Sequence, residues 1–169
     1  MLLHFIKMTD QINEWIGRAV SWLTLALVIL VCIDVLRRYF LEQTDAWIME
    51  LQWHFFSLVF LLGAGYTLKH DKHVRVDLFY DRFSARDKAL VNIVGGTLLL
   101  LPFCIMIIYV SYAYMTQSWL ISERSADPGG MPYRFLIKGS ISISMILLLL
   151  QAISMIARNW MTYITSDTE

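Results

Sequence analysis

The side chains in this sequence that could do chemistry are few, and they sit at costly depths. Asp34, Arg37 and Arg38 close one long apolar stretch, and Glu50 and His54 open the next. A charge near or inside a membrane span costs several kcal/mol unless it is paired or hydrated, so each of these residues is a functional candidate. Asp34 and Arg37 are three apart on one helical face and are expected to pair. Glu50 is expected to reach Arg37 or Arg38 across the short hairpin between the stretches. Such a cluster is either a structural set of ion pairs at one boundary or a docking site for another subunit. Both can hold, because a buried pair can specify one packing arrangement. His54 stands alone in its stretch and reads as a hydrogen-bonded helix contact. His70 and His73, beside Lys69, Asp71 and Lys72, read as solvated.

Other chemistries have no residues to carry them. There is no metal-ligand spacing, no Ser/His/Asp or Cys/His set and no glycine loop to cradle a phosphate. Cys32 and Cys104 both fall within apolar stretches without a Cys-x-x-Cys arrangement, and are expected to act as small hydrophobes.

The elements that must position these groups are four apolar stretches, at about 16–36, 47–68, 90–114 and 135–156. Each has the ~20 apolar residues needed to cross ~30 Å of hydrocarbon, and a backbone in lipid must satisfy its own polar groups by forming a helix. The expected fold is an all-α membrane protein, a single integral membrane domain over residues 1–169. Composition agrees. The chain is 57% hydrophobic and 17% charged, against ~25% charged in an average soluble domain. Zero formal net charge gives no reason to expect a nucleic-acid partner.

Orientation follows from lysine and arginine. Nine of them fall before span one, between spans two and three, or after span four, and five fall on the other side. Both termini are therefore expected in the cytoplasm. Trp15, Trp22 and Trp160 map to that boundary, and Trp47, Trp53 and Trp119 to the outer one. Residues 1–15 and 73–83 mix apolar and charged positions and are expected to form amphipathic helices lying in the interface. Ser84-Ala85-Arg86-Asp87 has the form of a capping box opening span three. Asp127-Pro128-Gly129-Gly130-Met131-Pro132 requires a turn. Pro102 is expected to kink span three modestly.

Two faces carry small residues that favour helix packing: Gly63-Ala64-Gly65 in span two, and Gly139, Ser140, Ser142 and Ser144 in span four. Whether they pack within the chain or on a partner is open at this level. No span has the central break by which transporters expose backbone to a solute, so the chain reads as unequipped to move a solute by itself.

Taken in order, several segments resemble one family. Trp47-Ile48-Met49-Glu50-Leu51, then Leu61-Leu62-Gly63-Ala64, then His73-Val74-Arg75-Val76-Asp77 are similar to the DctQ-type small membrane subunit of tripartite ATP-independent periplasmic (TRAP) transporters. Asp34-Val35-Leu36-Arg37-Arg38-Tyr39-Phe40 resembles that family's basic end to span one, and 125–132 its outer loop. Met49 stands where many members have a second acid, and Asp34 where many have asparagine. The resemblance implies a scaffold, not an enzyme, that braces a large membrane subunit in the bacterial inner membrane. It further implies a periplasmic substrate-binding protein that delivers an organic acid, sodium bound on the partner subunit and no cofactor here. Membrane lipids complete the expected partners. Candidate docking residues are Asp34, Arg37, Arg38, Trp47, Glu50, Gly63, His73, Asp77, Arg124, Ser140 and Ser144. The rivals are a cytochrome-type membrane anchor, which needs two axial histidines where only His54 lies in a span, and a self-sufficient homodimeric exporter using Asp34 or Glu50.

Overall fold

A computed structural model describes residues 1–71, 80 and 83–165. Among these the elements are helices: α1 (Leu2–Phe40), α2 (Ala46–Lys69), α3 (Ala85–Gly95), a π turn (Gly96–Leu100), α4 (Leu101–Leu120) and α5 (Phe135–Thr165). Residues 85–120 form one continuous rod, so four helices are long and apolar enough to cross a membrane. At 1.5 Å per residue they measure roughly 58, 36, 54 and 46 Å. All but α2 exceed the hydrocarbon by a wide margin.

Residues 1–15 do not form the short separate helix that the sequence predicts. Those residues are the opening turns of α1, which runs unbroken for 39 residues. With no proline, and with Gly17 its one glycine, the segment has nothing to stop helix propagation from the apolar stretch into its polar start. The second expected amphipathic segment, 73–83, lies almost wholly outside the described residues.

Helix ends follow local chemistry. Residues Glu42, Asp71 and Ser122, just beyond α1, α2 and α4, take positive φ values of 53°, 56° and 49°. After α1 this lets the Gln43 N–H return to the Arg37 carbonyl, six positions back, at 3.4 Å, so the left-handed residue turns the chain back over the helix end. Ser84 caps α3 as the sequence predicts: its Oγ accepts from the Asp87 N–H at 3.1 Å and donates to the Asp87 carboxylate at 2.7 Å. In the outer turn Gly129 takes φ 78° and the Gly130 N–H reaches the Asp127 carbonyl at 3.0 Å. With Pro128 at the second position this is a type II turn, whose third residue favours glycine.

Pro102 was expected to give a modest kink; a π turn precedes it. Proline has no N–H to offer the carbonyl four residues back. The ladder widens just before it, and the Leu101 N–H bonds to the Gly96 carbonyl five residues away. Gly96 is buried at this point, facing Ile156 and Met155 of α5.

Helix α5 is the centre of the bundle. It packs against α1, α2, α3 and α4, whereas α1 pairs chiefly with α2. Within their apolar windows 39% of α5 is buried against 6% of α1. Residues Gly139, Ser140, Ser142, Ser144, Met145, Leu148, Gln151, Ala152 and Ser154 line the buried face of α5. Small side chains let neighbours approach closely where lipid offers no hydrophobic drive for association. Leu68, Cys104, Met145, Leu148 and Ala152 form the apolar core. Among the described residues nine apolar side chains are buried and eleven polar or charged ones. That inversion of a water-soluble interior is expected where lipid surrounds the protein and polar groups must find partners inside.

Cys104 is buried, but Cys32 is exposed on the outer face of α1.

Candidate functional site

Polar side chains gather at the two ends of the bundle. At the hairpin end lie the 41–45 connection and the 121–134 loop, and at the other end lie both termini. The expected Asp34–Arg37 pair does not form. Asp34, 4% exposed, accepts from Arg38 Nη2 at 2.7 Å, one turn further on, while Arg37 turns outward to Asp45 and to Gln43 Oε1 at 3.3 Å. Asp45 precedes α2 but makes no side-chain cap bond to it, because its carboxylate is occupied by Arg37.

Glu50 does not reach Arg37 or Arg38 either. Those guanidinium groups are already matched, and Glu50 lies on the α2 face turned toward α5. Only 5% of its side chain is exposed. It accepts from the Ser125 hydroxyl, from the Met131 backbone N–H and from Arg134 Nη2 at 2.8 Å. Arg134 also donates to Ser125 Oγ at 3.3 Å and lies 5.7 Å from the centre of the Trp53 ring. One carboxylate in α2 thus ties down both sides of the 121–134 loop. Beside it Lys138 pairs with Glu123 and sits 3.8 Å above the Tyr114 ring. The Lys138 ammonium, donating to Glu123, holds that loop carboxyl below its usual range.

His54 meets its expectation: Nδ1 lies 2.6 Å from the Glu50 carbonyl on its own helix. Trp47 is exposed, as is Arg124, which makes no hydrogen bond or ion pair among the described residues. Ser140 and Ser144 are buried inside the chain, each donating to a carbonyl of α5, those of Ile137 and Ile141. The interhelix bond comes from their neighbour Ser142, whose Oγ lies 2.7 Å from Ser111 Oγ of α4. Gly63 was expected to permit a close approach, but a Cβ there would meet Val20 at an ordinary 3.9 Å. The close approaches are at Gly65, against Asn13, and at Gly17, against the Tyr66 ring. Of the two glycines of α2, Gly65 therefore serves packing within the chain, and Gly63 makes only an ordinary contact there. His73 and Asp77 lie outside the described residues.

The termini end holds a network that sequence reasoning missed. Asn13, 1% exposed, donates to Gln151 Oε1 at 2.9 Å. Gln151 donates to Asp10 at 3.0 Å, and Asp10 also takes Arg158. Glu14 binds Lys69 at 2.6 Å and His70 at 3.1 Å, so His70 has a partner and is not simply solvated. The Lys69 ammonium foremost, with His70 next, lowers the Glu14 pKa to about 2. Asn92 bonds Asn159 at 3.1 Å, joining α3 to α5. The available signal was Gln151, a lone amide in an apolar run; such groups seek partners on other helices.

A four-helix membrane body with both ends clamped by ion pairs, and with most of its flanks bare, defines a subunit-like membrane protein. The family model of the tripartite ATP-independent periplasmic transporters, DctQ component, matches residues 27–162. The chain belongs to that family: it is a multi-pass component of a transporter, not an enzyme. In that family the component works with a large membrane subunit and a periplasmic binding protein. No curated protein matches the chain as a relative.

Proposed function

We propose that this chain is the small permease subunit of a sodium-coupled, binding-protein-dependent transporter for organic acid anions in a bacterial inner membrane. Its role is to scaffold the large permease subunit. Both termini lie in the cytoplasm, and sodium and substrate are bound by the partner. The observation that carries this reading is the family match over 27–162, and the geometry is consistent with it. Most of the charged groups described at each end are matched within the chain. Helix α1 is left with an almost wholly exposed flank that includes Trp22, Leu25, Val28, Ile29 and Leu36. The docking surface is assigned to this flank and to the hairpin beside it, with Asp34–Arg38, Arg37–Asp45 and Trp47 at its edge.

Co-purification tests the proposal. Tagged protein in mild detergent is expected to bring down a large membrane subunit in near-stoichiometric amount, and Arg38→Ala with Trp47→Ala is expected to reduce that yield several-fold. Recovery of the chain alone from cells that express the whole system would overturn the scaffold role.

A further inference from the structure

We propose that the hairpin end carries a binding site for the phosphate of a membrane phospholipid, built from Arg124 and an aromatic wall. A groove of about 610 Å³ opens there, lined by Trp119, Leu120, Ser122, Arg124, Tyr133 and Phe135. The other cations at this end are already matched: Arg134 with Glu50, Lys138 with Glu123, Arg37 with Asp45 and Arg38 with Asp34. Arg124 is the exception at this end among the described residues. It is exposed, and the structure gives it no partner. A guanidinium suits a phosphate because it can donate two parallel N–H bonds to two oxygens.

The groove walls come from the ends of spanning helices. Trp119 and Leu120 close α4, and Phe135 opens α5. The Trp119 and Phe135 rings meet edge-on at 4.5 Å, and Tyr133 meets Phe135 at 6.1 Å. Trp119, Leu120 and Tyr133 are all exposed. Tryptophan and tyrosine favour the level of lipid headgroups, so the wall stands where a glycerol backbone and the first acyl carbons would lie. Two lining residues, Ser122 and Tyr133, hold positive φ values of 49° and 65°, a conformation disfavoured for residues with a Cβ. Glu50 and Arg134 pin the loop between them, so the groove is held open by the same clasp that closes the bundle. A soluble acidic segment would satisfy Arg124 but leave the apolar wall bare. A phospholipid satisfies both. The inference needs only that the chain spans a membrane, and it is independent of any partner subunit.

The test is native mass spectrometry of the full chain in dodecyl maltoside, titrated with phosphatidylglycerol. One lipid is expected to remain bound. Arg124→Gln should weaken it fivefold or more, Arg124→Lys should weaken it less, and Lys7→Gln, at the opposite end, should leave it unchanged. Among the described residues Arg124 makes no hydrogen bond or ion pair, so its replacement is expected to leave the fold intact. Excess glycerol 3-phosphate or poly-glutamate should fail to displace the lipid. The proposal is overturned if Arg124→Gln binds as the wild type does, or if Lys7→Gln weakens binding equally. Displacement by glycerol 3-phosphate or by the peptide would also overturn it, assigning Arg124 to a soluble anion or a protein.

Discussion

Glu50 shows how much one side chain organises. Its carboxylate is almost buried and satisfies a hydroxyl, a backbone N–H and a guanidinium that belong to a loop more than seventy residues away. Removing one partner of a buried pair strands the other, at a cost of ~3–5 kcal/mol. Glu50→Ala is therefore expected to lower the midpoint of thermal unfolding in detergent by several degrees, with Glu50→Gln losing less. An unchanged midpoint for Glu50→Ala would show that the loop is held by other means. Glu14 makes the corresponding prediction for pH. Its pKa is depressed from 4.5 to about 2 by Lys69 and His70. A depressed carboxylate contributes stability that is complete above the unfolded value and is lost as pH falls through the folded one. The stability difference between wild type and Glu14→Gln should thus be full at pH 6 and shrink steadily below 4.5. Thermal shifts at matched pH would show a constant gap if the Glu14 clasp were unimportant.

At the scale of the helix, small residues decide which faces touch. Gly65 packs on the buried Asn13 side chain and Gly17 on Tyr66, which seats α1 in α2 and leaves Asn13 aligned with Gln151 of α5. Overpacking a close contact costs ~1–3 kcal/mol. Gly65→Val is expected to destabilise by about that much and to loosen α1, whereas Gly63→Val, which faces ordinary contact distance, should cost far less. Denaturation of the two variants in mixed micelles would compare them directly, and equal losses would contradict the assignment. The existence and order of the helices were legible from apolar runs alone. Their pairing was not, because Gly63 and Gly65 look alike in the sequence and differ only in what stands opposite. The same holds for Ser140, Ser142 and Ser144: all three are buried, but only the middle one reaches a neighbouring helix. The π turn ahead of Pro102 was foreseen only as a kink, since a missing N–H announces a disturbance without saying how the ladder will absorb it.

For the whole molecule, an even number of antiparallel spans puts the start of α1 and the end of α5 at one end, and the proposed cytoplasmic location of that end rests on the lysine and arginine bias. With Cys32 and Cys104 replaced by alanine, Ala126→Cys should react with an impermeant maleimide from outside the cell. Ala85→Cys should react only after the membrane is opened. The reverse pattern would invert the arrangement and reassign the Arg124 groove to the cytoplasmic leaflet. The exposed flank of α1 makes the complementary point. A helix this apolar and this little covered by its own chain is bounded by lipid or by another subunit, which is what a component of a larger transporter requires.

Long runs of apolar residues need no tertiary information to be read, because crossing lipid is a matter of length and backbone satisfaction; the class of protein, its four spans and its family resemblance were therefore open to inspection from residues alone. Partner choice among charges was different. Arg37, Arg38, Asp34, Asp45 and Glu50 offer several neutral pairings of similar local cost, and only the rotation of α2 toward α5 selected the set that forms. Electrostatic matching depends on distances of a few ångströms between segments remote in the chain, and those distances exist only once the helices have packed.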